Sequence, residues 1–187
     1  MNRKKGFTLI ELMISITIMA VLTMISYAPY SYYQNKASLK VTAREVSQIL
    51  SEARNMAING AVGNEGNVSI GVYFDTIDTS NNMVKVFSFP HDIDKLNISY
   101  LEGGSTKLIK TVNLTKGIII DDIDGKQNLL FLFDSITGNI TYYTWVGSNR
   151  EDLVKDNITI NFSYKGSTSP NLNKTINYYT KTNIIDY

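Results

Sequence analysis

The residue that most demands a chemical reason is Glu11. It is the only charged side chain in the run 7–25, FTLIELMISITIMAVLTMI, and Arg3, Lys4, Lys5 and Gly6 stand directly before that run. A carboxylate in hydrocarbon costs about 2–3 kcal/mol even on lenient insertion scales, so it is kept where a partner or a function needs it. The cations complete an electrostatic pattern. By the positive-inside tendency they hold the N-terminus in the cytoplasm and send the rest of the chain outward. As a helix at ~1.5 Å per residue, the run covers roughly 28 Å, about the thickness of a bilayer's hydrocarbon layer.

Other candidates for chemistry are thinner. His91 is the single histidine, in FPHDID, and the chain has no cysteine. That removes disulfides, thiolate metal sites and a cysteine nucleophile, and gives a zinc site or a catalytic dyad little to stand on. The acidic stretch DDIDG, Asp121 to Gly125, invites comparison with a calcium loop. Asp122 and Asp124 fit the alternating ligand pattern, but Ile120 and Phe131 stand where the first ligand and the closing glutamate belong. An acidic turn is the expectation, with an irregular calcium site at Asp121–Asp124 left open. Asn-x-Ser/Thr triplets such as Asn67-Val68-Ser69 and Asn157-Ile158-Thr159 are expected by chance in an Asn-rich chain. Tyr142, Tyr143, Trp145, Tyr178 and Tyr179 could form a stacking surface. Neighbours on a strand point to opposite faces, so half of them are expected in the core.

Composition sets the frame for these residues. The chain has 187 residues, 43% hydrophobic and 19% charged, enough for a packed core in one compact domain beyond a membrane segment. Its formal net charge is +1, so no global basic field points to nucleic acid. Three plain readings compete for the N-terminal segment: a cleaved secretory signal ending near Ala28, a single-pass anchor, or a buried core helix. The first would leave Pro29 just after the cut and needs a shorter run. The third is at odds with a run apolar on all faces. Neither of the first two explains Glu11.

Beyond the run, Pro29 should kink or loosen the helix. Leu39, Ala43, Val46, Leu50, Ala53 and Ala57 then recur at helical spacing, with Lys40, Arg44, Gln48, Glu52 and Asn55 opposite them and Asn59-Gly60 as a stop. One helix over about 7–59 is expected. After Gly60 come strand-like runs at 67–74, 83–89, 106–112, 117–120, 128–133, 140–146, 157–164 and 174–180, with turns at Asp124-Gly125 and Thr137-Gly138-Asn139. One helix followed only by strands implies α+β, an antiparallel sheet laid over the helical stripe.

The gapless string Lys4-Lys5-Gly6-Phe7-Thr8-Leu9-Ile10-Glu11-Leu12 resembles the cleavage and methylation motif of type IV prepilins and type II secretion pseudopilins. The resemblance implies a type IV pilin fold. It also implies a leader (1–6) cut after Gly6 by a prepilin peptidase/methyltransferase, with N-methylation of Phe7. A transmembrane and filament-core helix (7–28), its amphipathic continuation (29–59) and an exported β-rich head (60–187) would follow. Implied partners are an inner-membrane assembly platform, other pilin or pseudopilin subunits, and the bilayer before assembly. No cofactor or metal is implied, and no catalytic role. Cutting creates a cationic amine at Phe7, one helical turn from Glu11, and the resemblance implies that these two pair between or within subunits. Such a pair mainly sets register, because an unpaired buried charge is expensive. Losing the leader cations leaves 15 cations against 17 acids.

The head resembles the GspH/FimT-like minor pseudopilins. The likeness lies in LSEARNMAINGAV, LFLFDSITGNI and the closing ITINFSY and KTINYYTKTNII, where Thr182-Asn183 replaces a usual Thr-Gly. Some FimT-like relatives capture DNA through an arginine-rich C-terminal region. After Arg150 this chain has only Lys155, Lys165, Lys174 and Lys181, which support at most weak, salt-sensitive phosphate contact, so DNA is not an expected partner. The expected protein is a structural subunit of a pilus or pseudopilus. The alternative is a membrane-anchored binding module that never polymerises.

Overall fold

The computed structural model describes residues 6–60, 68–76, 83–90, 106–126, 128–135, 138–146, 149–153, 155–167, 169–182 and 184–186. They fall into two compact units, Met1–Ala37 and Ser38–Tyr187. Among the described residues one α-helix, α1 (Leu9–Asn59), contributes to both, and ten strands belong to the second.

In the first unit the α1 side chains are exposed from Leu9 through Tyr27. Four hydroxyls in this stretch would lack partners in an apolar surrounding. Ser15, Thr17, Thr23 and Ser26 each donate instead to the carbonyl four residues back, at 2.7–2.9 Å, and so satisfy themselves within the helix. The expected loosening at Pro29 does not interrupt the helix, which runs through that residue. Proline costs the helix one N–H, and the turns on either side keep theirs.

In the second unit all six residues of the expected stripe, Leu39, Ala43, Val46, Leu50, Ala53 and Ala57, are buried. Ile49 joins them, and Lys40, Arg44, Gln48, Glu52 and Asn55 are exposed opposite. The helix ends at Gly60, whose φ of +60° and N–H bond to the Ala57 carbonyl make the left-handed exit that a side chain would disfavour.

The strands are β1 (Val68–Asp75), β2 (Met83–Pro90), β3 (Lys107–Asn113), β4 (Ile118–Ile123) and β5 (Asn128–Phe133). They continue with β6 (Ile140–Val146), β7 (Asn149–Leu153), β8 (Asn157–Tyr164), β9 (Asn173–Tyr179) and β10 (Ile184–Asp186). β7 and β10 are additions to the expected set. The single expected sheet is two antiparallel sheets, ordered β3-β2-β1-β5-β6-β7 and β10-β9-β8-β4. All pairings are antiparallel, so the class is α+β as expected.

β1 and β5 pair in register, Val72 opposite Phe131 and Tyr73 opposite Leu130. All six residues of β5 are buried, so both faces of the larger sheet carry core there. On one face Phe131 meets Phe74, Tyr142 and, from the smaller sheet, Tyr178, with ring centroids 5.4–5.5 Å apart. On the other face Tyr73, Phe87, Phe89, Leu130, Leu132, Tyr143 and Trp145 form a second apolar cluster. Gly71 sits beneath it. A Cβ there would run into the Phe89 ring and come within 2.9 Å of Leu130, so the close packing needs glycine.

Asn128 closes the β5–β6 ladder with its side chain. The backbone register ends at Leu130 opposite Tyr143. Two residues further on, the buried Asn128 Oδ1 accepts the Trp145 N–H at 2.8 Å, while Nδ2 donates to the Trp145 carbonyl at 3.2 Å. Thr144 Oγ1 donates to the Asn128 backbone carbonyl at 2.8 Å. Replacing Asn128 with alanine strands the Trp145 N–H and carbonyl. The expected cost is about 1–3 kcal/mol, read as a lower urea midpoint by the fluorescence of Trp145, the chain's single tryptophan. A midpoint unchanged in Asn128→Ala would refute the ladder role.

Candidate functional site

The N-terminal junction is built by backbone state and by one cap. Gly6, Phe7 and Thr8 lie ahead of α1 in non-helical backbone. A Cβ on Gly6 would meet nothing within 4 Å, and Phe7 is 86% exposed. The Gly6–Phe7 bond is therefore open on the protein side. Arg3, Lys4 and Lys5 lie outside the described residues.

Thr8 and Glu11 form a reciprocal cap at the start of α1. The Thr8 N–H donates to Glu11 Oε2 at 2.8 Å, and the Thr8 hydroxyl donates to the same oxygen at 2.9 Å. The Glu11 N–H points back at Thr8 Oγ1 at 3.3 Å, and the Leu12 N–H reaches the Thr8 carbonyl at 3.2 Å. This is the arrangement of a capping box, which satisfies orphan donors of the first turn and places an anion at the positive end of the helix dipole. Reading Glu11 as a charge in search of a partner overlooked Thr8. The signal was present as Thr-x-x-Glu before an apolar run. While Gly6 is bonded to Phe7, the Phe7 nitrogen is an uncharged amide, and the carboxylate is occupied by Thr8.

The head places its remaining candidates in structural roles. Asp122 accepts the Gly125 N–H at 3.0 and 3.2 Å on its two oxygens. Asp124 takes a φ of 54° and pairs with Lys155. The carboxylates of the DDIDG stretch thus shape and hold a turn, with Asp121 at the point where the β4–β8 register shifts. His91, Asn67, Thr137 and Asn183 lie outside the described residues. Tyr142, Tyr143, Trp145 and Tyr178 are all buried and Tyr179 is 40% exposed, so more of the aromatic set is core than expected. The reason is that both faces of the larger sheet are covered. Of the C-terminal lysines, Lys155 is held by Asp124 and Lys181 by Asp156 at 2.7 Å, which leaves less positive charge for a phosphate backbone. An open groove of about 930 Å³ runs beside α1, lined by Arg44, Gln48, Glu52, Asn55, Lys110 and Ile185 among others. Its Glu52 is paired with Lys110 at 3.1 Å.

An exposed apolar helix, long enough to cross a membrane, opens on a capped, accessible Gly–Phe junction. A β-rich unit follows it. Together they make an α+β protein whose N-terminal helix is long and apolar enough to span a membrane. Residues 1–27 match the family described as the prokaryotic N-terminal methylation motif. The chain is also 35% identical over 107 residues to prepilin peptidase-dependent protein A of Clostridium perfringens (strain 13 / Type A), covering 50% of this chain and 71% of that protein. No solved structure matches. The chain belongs to the type IV prepilin-like family. Family membership points to a structural pilin-like protein and away from an enzyme.

Proposed function

We propose that this chain is a pilin or minor pseudopilin subunit that a prepilin peptidase cuts between Gly6 and Phe7 and methylates on the Phe7 amine. Before the cut it is held in the cytoplasmic membrane by the first part of α1, with the head outside. After it, the chain polymerises through the same helix into a type IV pilus or a type II secretion pseudopilus. The observation that carries the reading is the junction itself. The motif residues 4–12 run without a gap, and the bond to be cut lies exposed in non-helical backbone before a capped helix. A protease needs such accessible, extended backbone, which a helix would withhold. The dependence on a prepilin peptidase named for the clostridial relative supports the same partner here.

On this reading Glu11 has two successive partners. Thr8 occupies it in the precursor. Once the leader is gone, the Phe7 amine is a full positive charge one turn away and offers a stronger, charge-assisted interaction, on its own or a neighbouring subunit. The test is the intact mass of the mature protein. It should lack residues 1–6 and carry one added methyl on Phe7. An unprocessed N-terminus would exclude a filament subunit and favour the anchored binding module, and a cut after Ala28 would exclude both and favour a secreted protein.

A further inference from the structure

We propose that Tyr27, Tyr30, Tyr32 and Tyr33 form an aromatic collar that sits in the headgroup layer of a phospholipid bilayer and sets the depth at which α1 is held. The inference rests on the membrane-anchor reading above and adds a second, outer boundary to it.

Three observations carry it. The first is position. Four of the chain's twelve tyrosines fall within the eight residues that follow the apolar run. From Phe7 to Tyr27 is twenty steps, which at ~1.5 Å each spans roughly 30 Å, the thickness of the hydrocarbon layer. The cleavage junction and the collar therefore bracket one bilayer.

The second is direction. At about 100° per residue, Tyr27, Tyr32, Tyr33 and Tyr30 point to about 0°, 140°, 240° and 300° around the axis. They surround the helix. A partner helix would be met by a stripe on one side, as Leu39, Ala43, Val46 and Leu50 form where α1 is buried within the second unit. Before any assembly, the surrounding that meets a lone helix from all sides is a lipid layer.

The third is exposure and chemistry. Tyr27, Tyr30 and Tyr33 are 74%, 68% and 67% exposed, and Tyr32 packs edge-on against Tyr33 with centroids 5.7 Å apart. A tyrosine ring is apolar along its body and polar at its hydroxyl, so it is best accommodated where acyl chains meet headgroups. Lys36, exposed one turn beyond, can extend its stem along that layer and leave its ammonium among the phosphates.

The chain has no cysteine, so single cysteines can carry a nitroxide label at 18, 27, 30, 32 or 33 in the full-length protein. The protein is placed in vesicles of phosphatidylethanolamine and phosphatidylglycerol, and depth is read from the ratio of oxygen to nickel-chelate accessibility. The label at 18 should be deepest. Labels at 27–33 should rise towards water by ~1.5 Å per residue without a helical period. Changing the other tyrosines to serine should move the label at 18 by about 3 Å or broaden its depth, and changing them to tryptophan should not. A 3.6-residue period over 27–33, or an unmoved label in the serine variant, would overturn the collar while leaving the anchor standing. A label at 18 that is open to water would overturn the anchor reading itself.

Discussion

Replacing Glu11 with glutamine leaves the Gly6–Phe7 bond cleavable and lowers filament number by about tenfold or more. The substitution is chosen because it separates the cap that Glu11 forms with Thr8 from the charge pair proposed for the same carboxylate. A glutamine at this position can still accept from the Thr8 N–H and hydroxyl, so the capping box survives. What it removes is the negative charge. On the pairing proposal, the mature Phe7 amine then has no counter-charge when subunits bring it out of water. A buried charge left unpaired costs on the order of 3–5 kcal/mol, and each ~1.4 kcal/mol is a factor of ten in an equilibrium. Loss of the cap alone is worth about 1 kcal/mol. Glu11→Ala removes both and should match or exceed the glutamine variant. Thr8→Ala weakens only the cap and should assemble at near-normal numbers. Filaments are counted by electron microscopy and processing is followed by intact mass. If Glu11→Gln assembles normally and Thr8→Ala does not, the cap is what Glu11 provides and the charge pair is wrong.

What could be read in the sequence, and what could not, divides along physical lines. The stripe from Leu39 to Ala57 was legible because a helix buried on one side repeats every 3.6 residues, and all six residues are buried. Gly60 was legible because the left-handed exit selects for it. β7, Asn149–Leu153, was not. It contains Arg150, Glu151 and Asp152, and it is held at the sheet edge by its backbone ladder to β6. A strand fixed by its backbone ladder and an ion pair from Glu151 to Lys126 leaves no hydrophobic period to find. β10 is only three residues long. The division into two sheets was hidden for a different reason. β1 and β5 are buried on both faces, so neither run alternates apolar with polar residues throughout and neither says which neighbour it takes. At the junction, the cost of Glu11 in lipid was legible and its local partner was overlooked. The cap depends on Thr8, a small polar residue that reads as unremarkable inside an apolar run.

Replacing Phe131 with alanine destabilises the head by about 3–5 kcal/mol, the range for large-to-small changes at fully buried aromatic sites. Phe131 is singled out by its position in the topology. It belongs to β5, in the centre of the larger sheet, and its ring is packed edge-on or tilted against Phe74 of β1, Tyr142 of β6 and Tyr178 of β9. The last of these belongs to the smaller sheet, so one ring ties the two sheets together. Tyr178 is 1% exposed, and its burial pushes the hydroxyl's pKa up to about 12, a sign of how dry this contact is. Alanine would leave a void among three rings that cannot collapse without moving strands of both sheets. Phe131→Leu fills most of that volume and should cost about 1 kcal/mol, while Tyr179→Ala, next to Tyr178 but on the exposed side, should stay within about 0.5 kcal/mol. The measurement is urea unfolding of the detergent-solubilised chain, followed by Trp145 fluorescence. A domain of ordinary stability has only roughly 5–15 kcal/mol to lose, so Phe131→Ala should lower the midpoint by about a fifth or more. If it unfolds no earlier than Tyr179→Ala, the two sheets are held together elsewhere, and the ring cluster around Phe131 is not the centre of the core.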